Sequence, residues 1–418
     1  MTTTTRKLSW LTATTLTALL AAPPASAAQP SFALDGSGEC TFPMKKQIEG
    51  IPWSLQRVLL DELWQDTKGK GVRVAVIDTG VDDVNPQLTS AVDAKSGKDY
   101  LKPDKDNPGG ADDSQRGRTD GTVDEVGHGT KVAGIIAARP RAGTGFVGLA
   151  PEATIIPIRQ NDEKNSGKSD TMALAIDHAV DKGADVINIS QDTTQALSED
   201  SAMGRAVARA LAENVVVVAS AGNDGMDGKL KNTYPAAFPG VLAVASSDRN
   251  NERAEFSQSG TFVGVAAPGV DMVSTVPGGG QCVDNGTSFS APYVSGVAAL
   301  LRAKHPKWTP AQIVARIEQT AVRSVNGRDN HVGWGVVDPV RALSDAPDPA
   351  PTAPVPDPAP PRPPAPEPAH LALTETSQER AERIGTYALG VGAVLVAVVA
   401  GTATVIRDSR RRTRTPAE

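Results

Sequence analysis

Val74-Ala75-Val76-Ile77-Asp78-Thr79-Gly80-Val81-Asp82 decides the fold class. The run 72–77 is dense in β-branched residues, and a carboxylate follows it at once. A strand without polar alternation is buried on both faces, as in a parallel sheet. Similar apolar runs recur at Val186-Ile187-Asn188-Ile189, Val215–Val218 and Val241–Ala245. Between them, Asp170–Lys182 and Ala202–Ala212 carry apolar residues at helical spacing. Strands alternating with helices predict an α/β fold with a mostly parallel central sheet flanked by helices. In such folds sites lie outside the carboxyl ends of the strands. The polar residues that end each run are therefore the candidates for chemistry.

Asp78 is the first. A carboxylate directly after a buried strand needs hydrogen bonds or a partner, or it costs several kcal/mol. Asp-Thr-Gly also occurs in aspartic proteases, but those need a second copy to share one proton, and no second copy exists here. The next candidate is His128, within Gly127-His128-Gly129-Thr130-Lys131-Val132-Ala133-Gly134. Flanking glycines at a helix entrance let other backbone approach closely. His178, His305, His331 and His370 lack such a setting. The third is Ser288, within Asn285-Gly286-Thr287-Ser288-Phe289-Ser290-Ala291-Pro292. The run Tyr293–Arg302 behind it is apolar nearly all round, the mark of a buried helix. Ser288 then sits at the positive end of that helix, where developing negative charge is favoured. Pro292 reads as a first-turn residue that fixes the helix start. Taken alone, Ser288 is equally an N-cap.

The rest of the 418 residues is organised around this unit. A formal net charge of −6, from 42 Lys+Arg and 48 Asp+Glu, argues against a generally basic nucleic-acid binder. Arg6 and Lys7, an apolar run to Ala22 and Ala25-Ser26-Ala27 predict a secretory signal peptide over 1–28. Residues 29–49 then form a short extension before a domain spanning 50–345. In the stretch 346–384, 12 of the first 23 residues are Pro, which favours an extended polyproline stalk. The uncharged run 385–406 spans about 33 Å as a helix, enough for a bilayer core. Arg407, Arg410, Arg411, Arg412 and Arg414 follow, which predicts a basic cytoplasmic tail over 407–418 and an extracytoplasmic main domain on a single-pass anchor. Only Cys40 and Cys282 are present, too few for a zinc site of their own.

Together these segments resemble the subtilisin-like serine proteases. Asp78-Thr79-Gly80, His128-Gly129-Thr130 and Gly286-Thr287-Ser288-Phe289-Ser290-Ala291-Pro292 stand in the Asp, His, Ser order of that clan. The resemblance runs from about Trp64 to Ala342, through Tyr234-Pro235-Ala236, Ala267-Pro268-Gly269 and Gly333-Trp334-Gly335. It implies Ser288 as nucleophile, His128 as general base and Asp78 as the residue that orients the imidazole. It implies Asn223, in Ala221-Gly222-Asn223-Asp224, as an oxyanion donor. It places Ser190-Gln191-Asp192 on the strand that pairs with substrate, where many relatives carry Ser-Leu-Gly. No cofactor is implied. After His128, the stretch 139–145 lacks the oxygen ligands of the calcium site that bacterial subtilisins hold there, so no metal is expected.

The layout resembles the mycosins, the membrane-anchored subtilases of type VII secretion systems. Its features are the short extension, the insertion Lys95–Asp124, the stalk and the terminal helix. The insertion, rich in Asp, Lys and Gly, reads as a mobile surface loop. Two cysteines outside the membrane favour a Cys40–Cys282 disulfide. The partners implied are peptide or protein substrates, membrane secretion-complex subunits and the membrane itself, with no nucleic acid. The expected activity is a membrane-anchored endopeptidase cleaving selected secreted proteins. The alternative is a mainly structural subunit of a secretion complex with little proteolysis. An esterase on the same nucleophile has no support beyond shared acyl-transfer logic.

Overall fold

The computed structural model of the chain describes residues 40, 42–44, 47–101, 118–162, 167–323, 326–344, 351–356 and 374–412. The expected signal segment lies outside the described residues, as do the middle of the Lys95–Asp124 insertion and most of the Pro-rich stretch. The chain divides into two compact units, residues 1–358 and 359–418.

In the first unit, β1 (Arg73–Asp78) forms at the first β-branched run and is buried after Arg73. Six further strands join it: β2 (Lys98–Asp99), β3 (Thr154–Arg159), β4 (Val186–Ile189), β5 (Val216–Ser220), β6 (Leu242–Ser247) and β7 (Val263–Pro268). They make one sheet in the order β2-β3-β1-β4-β5-β6-β7, with every neighbouring pair parallel. β3 is not among the apolar runs that the sequence singles out, and it carries Pro157 in its middle. The strand tolerates it beside β2, a two-residue edge strand that pairs only with Ile158 and Arg159. A separate antiparallel hairpin pairs β8 (Met272–Thr275) with β9 (Gln281–Asp284).

The helices are α1 (Trp53–Gln56), α2 (Leu60–Leu63), α3 (His128–Ala137), α4 (Ser169–Asp181), α5 (Ala202–Ala212), α6 (Thr287–Lys304), α7 (Pro310–Thr320) and α8 (Pro339–Leu343). Alternate strand residues face different layers. Val74, Val76, Val186 and Val218 pack with Val132 and Ile136 of α3 and Val294 and Val297 of α6. Ala75, Ile77, Ile187 and Val217 pack with Ile176 of α4 and Val207 of α5. The strands read as continuous apolar runs because helices cover both sheet faces. α6 is buried nearly throughout and starts at Thr287. Pro292 is therefore in its second turn, not its first.

The order of the sheet puts the chain's switch of direction beside β1. β3 lies on one side of it and β4 on the other. Asp78 ends β1, and Ser190 follows β4, so both open onto the same edge. The insertion is less loop-like than expected. Its start forms a 3₁₀ turn at Ala94–Ser96 and the strand β2. Its end buries Thr122 and Asp124. Gly80, at φ +107°, shows why: a Cβ there would lie 1.9 Å from Val123 O.

The described residues of the extension lie along the hairpin. Cys40 and Cys282 are joined by a disulfide across a sequence separation of 242. Met44 N–H donates to Gly279 O at 3.0 Å, and Ile48 N–H donates to Gln281 Oε1 at 2.8 Å. A bridge closing a loop of this length contributes typically about 2–4 kcal/mol by limiting the unfolded chain.

In the second unit, α9 (Ser377–Arg412) is a single helix of 36 residues. Among the described residues it is the one helix long and apolar enough to cross a membrane. It continues beyond both ends of the uncharged run 385–406. Arg383 pairs with Glu375 before that run, and Arg412 pairs with Asp408 after it.

Candidate active site

His128 is the first residue of α3 and points back at the end of β1. Its Nδ1 lies 2.6 Å from Asp78 Oδ1, which also accepts the Thr79 N–H at 2.8 Å. Asp78 is fully buried, while the His128 side chain keeps 26% of its surface. The approach is close because residue 129 is glycine: a Cβ there would lie 2.1 Å from Gly80 O. Burial pulls the His128 pKa down, but the charge and hydrogen bond of Asp78, with the charge of Asp124, outweigh it. The net result is an imidazole above its ordinary pKa of 6.5.

Asp124 is a site residue that the sequence motifs do not single out. It is buried at the N-terminus of α3, where its Oδ1 accepts from Gly127 N–H at 2.8 Å. Its Oδ2 accepts from Thr130 N–H at 2.8 Å and from Thr130 Oγ1 at 2.5 Å. Thr79 Oγ1 donates to Asp124 at 2.8 Å and accepts from Gly129 N–H at 3.0 Å. This carboxylate caps the helix and complements its dipole. It also locks the His128 end of α3 to the Asp78 end of β1. Burial pushes the Asp124 carboxyl up, against the hydrogen bonds from Thr130 and Thr79. The legible signal is its spacing: an Asp three residues ahead of a Gly-His helix entrance.

Ser288 is the second residue of α6. Gly286 occupies the cap position, so the Ser288 side chain is not the N-cap. Its Oγ donates instead to Ser190 O at 3.1 Å. The Ser288 N–H is a first-turn amide, which an α-helix leaves without an internal acceptor. Asn223 follows β5, and its Oδ1 accepts from both Thr287 N–H (3.0 Å) and Thr287 Oγ1 (2.9 Å). With the oxygen held there, the Nδ2 end of the amide is left for the cleft.

His128, Ser190, Gln191, Asp192, Asn223 and Ser288 all line one cleft of about 950 Å³. Within it the three residues after β4 do different things. The Ser190 side chain turns inward, with its hydroxyl donating to Ser288 O at 2.9 Å. Gln191 Oε1 accepts from Gln160 Nε2 at 2.6 Å, and the Gln191 Nε2 is buried without a hydrogen-bond partner among the described residues. Asp192 is open at the mouth, with its Oδ2 against Gly222, where a Cβ would lie 3.0 Å away. The protein wall beneath it and the charge of Asp224 push its pKa up to about 6. Cys40 and Cys282 lie outside the cleft lining.

Two further residues complete the surroundings. Phe289, almost fully buried, packs against His128 with ring centroids 5.4 Å apart and the rings tilted by 46°. Lys131 lies 6.0 Å from the same ring and pairs with Asp284 at 2.7 Å. In the stretch 139–145, the Arg139 guanidinium donates to the carbonyls of Ser90 and Pro151.

Comparisons with known proteins agree with this geometry. The family model for the subtilase family, Peptidase S8, matches residues 69–335. Mycosin-4 of Mycobacterium tuberculosis (strain ATCC 25618 / H37Rv) is 38% identical over 349 residues, covering 72% of this chain and 72% of that protein. The solved structure of the serine protease MycP1, described as an essential component of the type VII (ESX-1) secretion system, is 32% identical. It superposes with a TM-score of 0.61 over 73% of this chain and 91% of its own. A chain of an intact ESX-5 inner membrane complex is also 32% identical, with a TM-score of 0.61, over 84% of this chain and 90% of its own.

The raised pKa of His128 sets a pH profile. A general base works only when neutral, so a raised pKa keeps it protonated to higher pH. The acid limb of kcat/KM on a peptide substrate is expected above pH 6.5. Asp78→Asn removes the charge and acceptor that raise it. That limb should move to lower pH while kcat falls about 10⁴-fold. A pH–rate profile unchanged by Asp78→Asn would disconnect the two residues.

Proposed function

The chain belongs to the subtilase family and is a subtilisin-like serine endopeptidase most like the mycosins, and we propose that it acts as a membrane-anchored protease of a type VII secretion system, cleaving selected secreted proteins. The observation that carries the chemistry is the 2.6 Å bond between His128 and the buried Asp78, in the same cleft as Ser288 and Asn223. Ser288 is the nucleophile. A serine hydroxyl is weak at neutral pH without a base. On substrate binding the Ser288 hydroxyl turns away from the Ser190 carbonyl, to which it donates, and His128 Nε2 takes its proton as the new O–C bond forms. Asp78 holds the imidazole tautomer through Nδ1 and stabilises the imidazolium. Oγ adds to the scissile carbonyl, and the oxyanion meets Asn223 Nδ2 and the Ser288 N–H. His128 then protonates the leaving amine, and water repeats the sequence on the acyl-enzyme.

Substrate would lie along Ser190-Gln191-Asp192. The Asp192 carboxylate at the mouth favours a basic substrate residue. The secretion-system assignment rests on the likeness to MycP1 and to the ESX-5 membrane-complex chain. Anchoring rests on the length and apolarity of α9, and the Arg residues after position 406 favour a cytoplasmic tail with the protease domain outside. The segmentation into signal peptide, extension, protease domain, stalk, anchor and tail belongs to the same reading.

Three outcomes test it. A fluorophosphonate probe should label the full-length protein at Ser288 and leave Ser288→Ala unlabelled. Asn223→Ala should keep labelling detectable while lowering kcat by about 10²–10³. Labelled Ser288→Ala would end the nucleophile assignment. For Asp192, competing peptides differing at one position, Lys against Leu, should show a Lys preference at pH 8. Because its pKa is about 6, the carboxylate is neutral below that value, and the preference should fade by pH 5. It should be absent at both pH values in Asp192→Asn; a preference that persists there assigns it elsewhere. Deleting residues 377–418 should move the protein from the membrane to the soluble fraction with peptide hydrolysis retained. If that deletion disturbs export more than Ser288→Ala does, the scaffolding role outweighs the proteolytic one. A truncated chain still in the membrane fraction would argue against α9 as the anchor.

A further inference from the structure

Asn188 is the one polar residue in the strand Val186-Ile187-Asn188-Ile189, and it is completely buried. An amide in that position is costly unless its hydrogen bonds are met. Its Oδ1 accepts from Ser295 Oγ at 2.8 Å, and its Nδ2 donates to Ser190 Oγ at 2.9 Å. Ser190 Oγ passes its own proton on to Ser288 O at 2.9 Å. Ser295 lies seven residues after Ser288, so both stand on one face of α6. The bonds form a closed circuit from α6 through β4 and back to α6. Ser190, Asn188 and Ser295 are all buried.

The Ser288 carbonyl is open to Ser190 for a specific reason. In an α-helix the amide of residue 292 would donate to the carbonyl of residue 288. Residue 292 is proline, inside the helix, and has no amide proton. A buried carbonyl without a donor is costly, and the Ser190 hydroxyl supplies the missing one. We propose that Ser190 is a positioning residue for Ser288: its hydroxyl replaces the hydrogen bond that Pro292 removes, and Asn188 with Ser295 braces it. The plane of the Ser288–Phe289 peptide is thereby fixed from the sheet side. That plane sets where the Ser288 Oγ points in the cleft. Every donor in the circuit has one acceptor, so its members hold each other in one rotamer. This inference rests on the reading of Ser288 as nucleophile.

A double-mutant cycle on the full-length protein in detergent tests it, with kcat, KM and the rate of fluorophosphonate labelling as readouts. Ser190→Ala should lower kcat and the labelling rate about tenfold with KM changed less than about twofold, the pattern of a lost transition-state contribution. Ser190→Thr keeps the hydroxyl and should recover most of the loss. Pro292→Ala supplies an amide that bonds Ser288 O directly. Adding Ser190→Ala to Pro292→Ala should then change kcat less than about twofold, because the two substitutions act on one carbonyl. Ser295→Ala removes the brace without touching the cleft and should lower the labelling rate about threefold. It probes the same circuit if a Ser190 variant fails to fold. Multiplicative losses in the double variant, or full activity in Ser190→Ala and Ser295→Ala, would overturn the positioning role. Absence of labelling at Ser288 in the parent chain would remove the nucleophile reading and this inference together. Labelling of the parent with multiplicative losses would remove this inference alone.

Discussion

A carboxylate with no exposed surface stands at the end of β1, and the neighbouring structure is arranged around it. His128 and the Thr79 amide meet its Oδ1, while Oδ2 is buried without a hydrogen-bond partner among the described residues, so the imidazole is the group that offsets a buried charge worth several kcal/mol. For His128 to reach it, α3 must begin within van der Waals contact of the β1 turn, which is why Gly129 has no room for a side chain. For α3 to begin there, its orphan amides must be met in a dry place, and Asp124 meets them. Thr79 then ties that cap back to β1. One buried charge therefore explains a glycine, a cap and a threonine, and it leaves the second imidazole nitrogen for the cleft.

The serine side of the site is built on another constraint, a helix whose second turn contains a proline. α6 is buried against β4, β5, β6 and β7, so its backbone has no water to turn to. Two groups freed by its irregular start are met by protein instead. Asn223 takes the Thr287 amide, and Ser190 covers the Ser288 carbonyl. The same contacts that satisfy this helix end also orient the groups facing substrate. Stability and chemistry use one set of hydrogen bonds.

These two constraints also explain what is legible in the sequence. β4 and α5 lie where the apolar patterns put them, and β1 begins and ends within a residue of its run, because burial on both faces leaves an unbroken hydrophobic signal. Asp78, His128 and Ser288 are legible because each sits in a short motif whose glycines and small residues have local causes. β3 is hidden by Pro157, since the sequence does not say which neighbour a strand will have. Asp124 is hidden by the polar insertion it closes. The placing of the α6 start a turn ahead of Pro292 depends on Asn223 and Ser190, residues remote in sequence. Phe289 and Lys131 read as ordinary helix residues, and only tertiary packing brings them around His128.

The hairpin joins the cysteine bridge to the catalytic helix. Ser274 and Thr275 of β8 donate to the carbonyls of Lys131 and Thr130 in α3. Gly134 lets the two elements lie flush, since a Cβ there would meet Thr275 Oγ1. Asp284 at the end of β9 pairs with Lys131, one helical turn from His128. Cys282 sits between these contacts in β9 and carries Cys40 with it. The extension is thus bonded to an element that rests on α3. Its Phe42 ring meets the position a Gly127 side chain would take, directly before His128. Among the described residues, 40, 42–44 and 47–51 thus back α3 from outside the cleft, whose lining Gln191 and Asp192 share with His128 and Ser288.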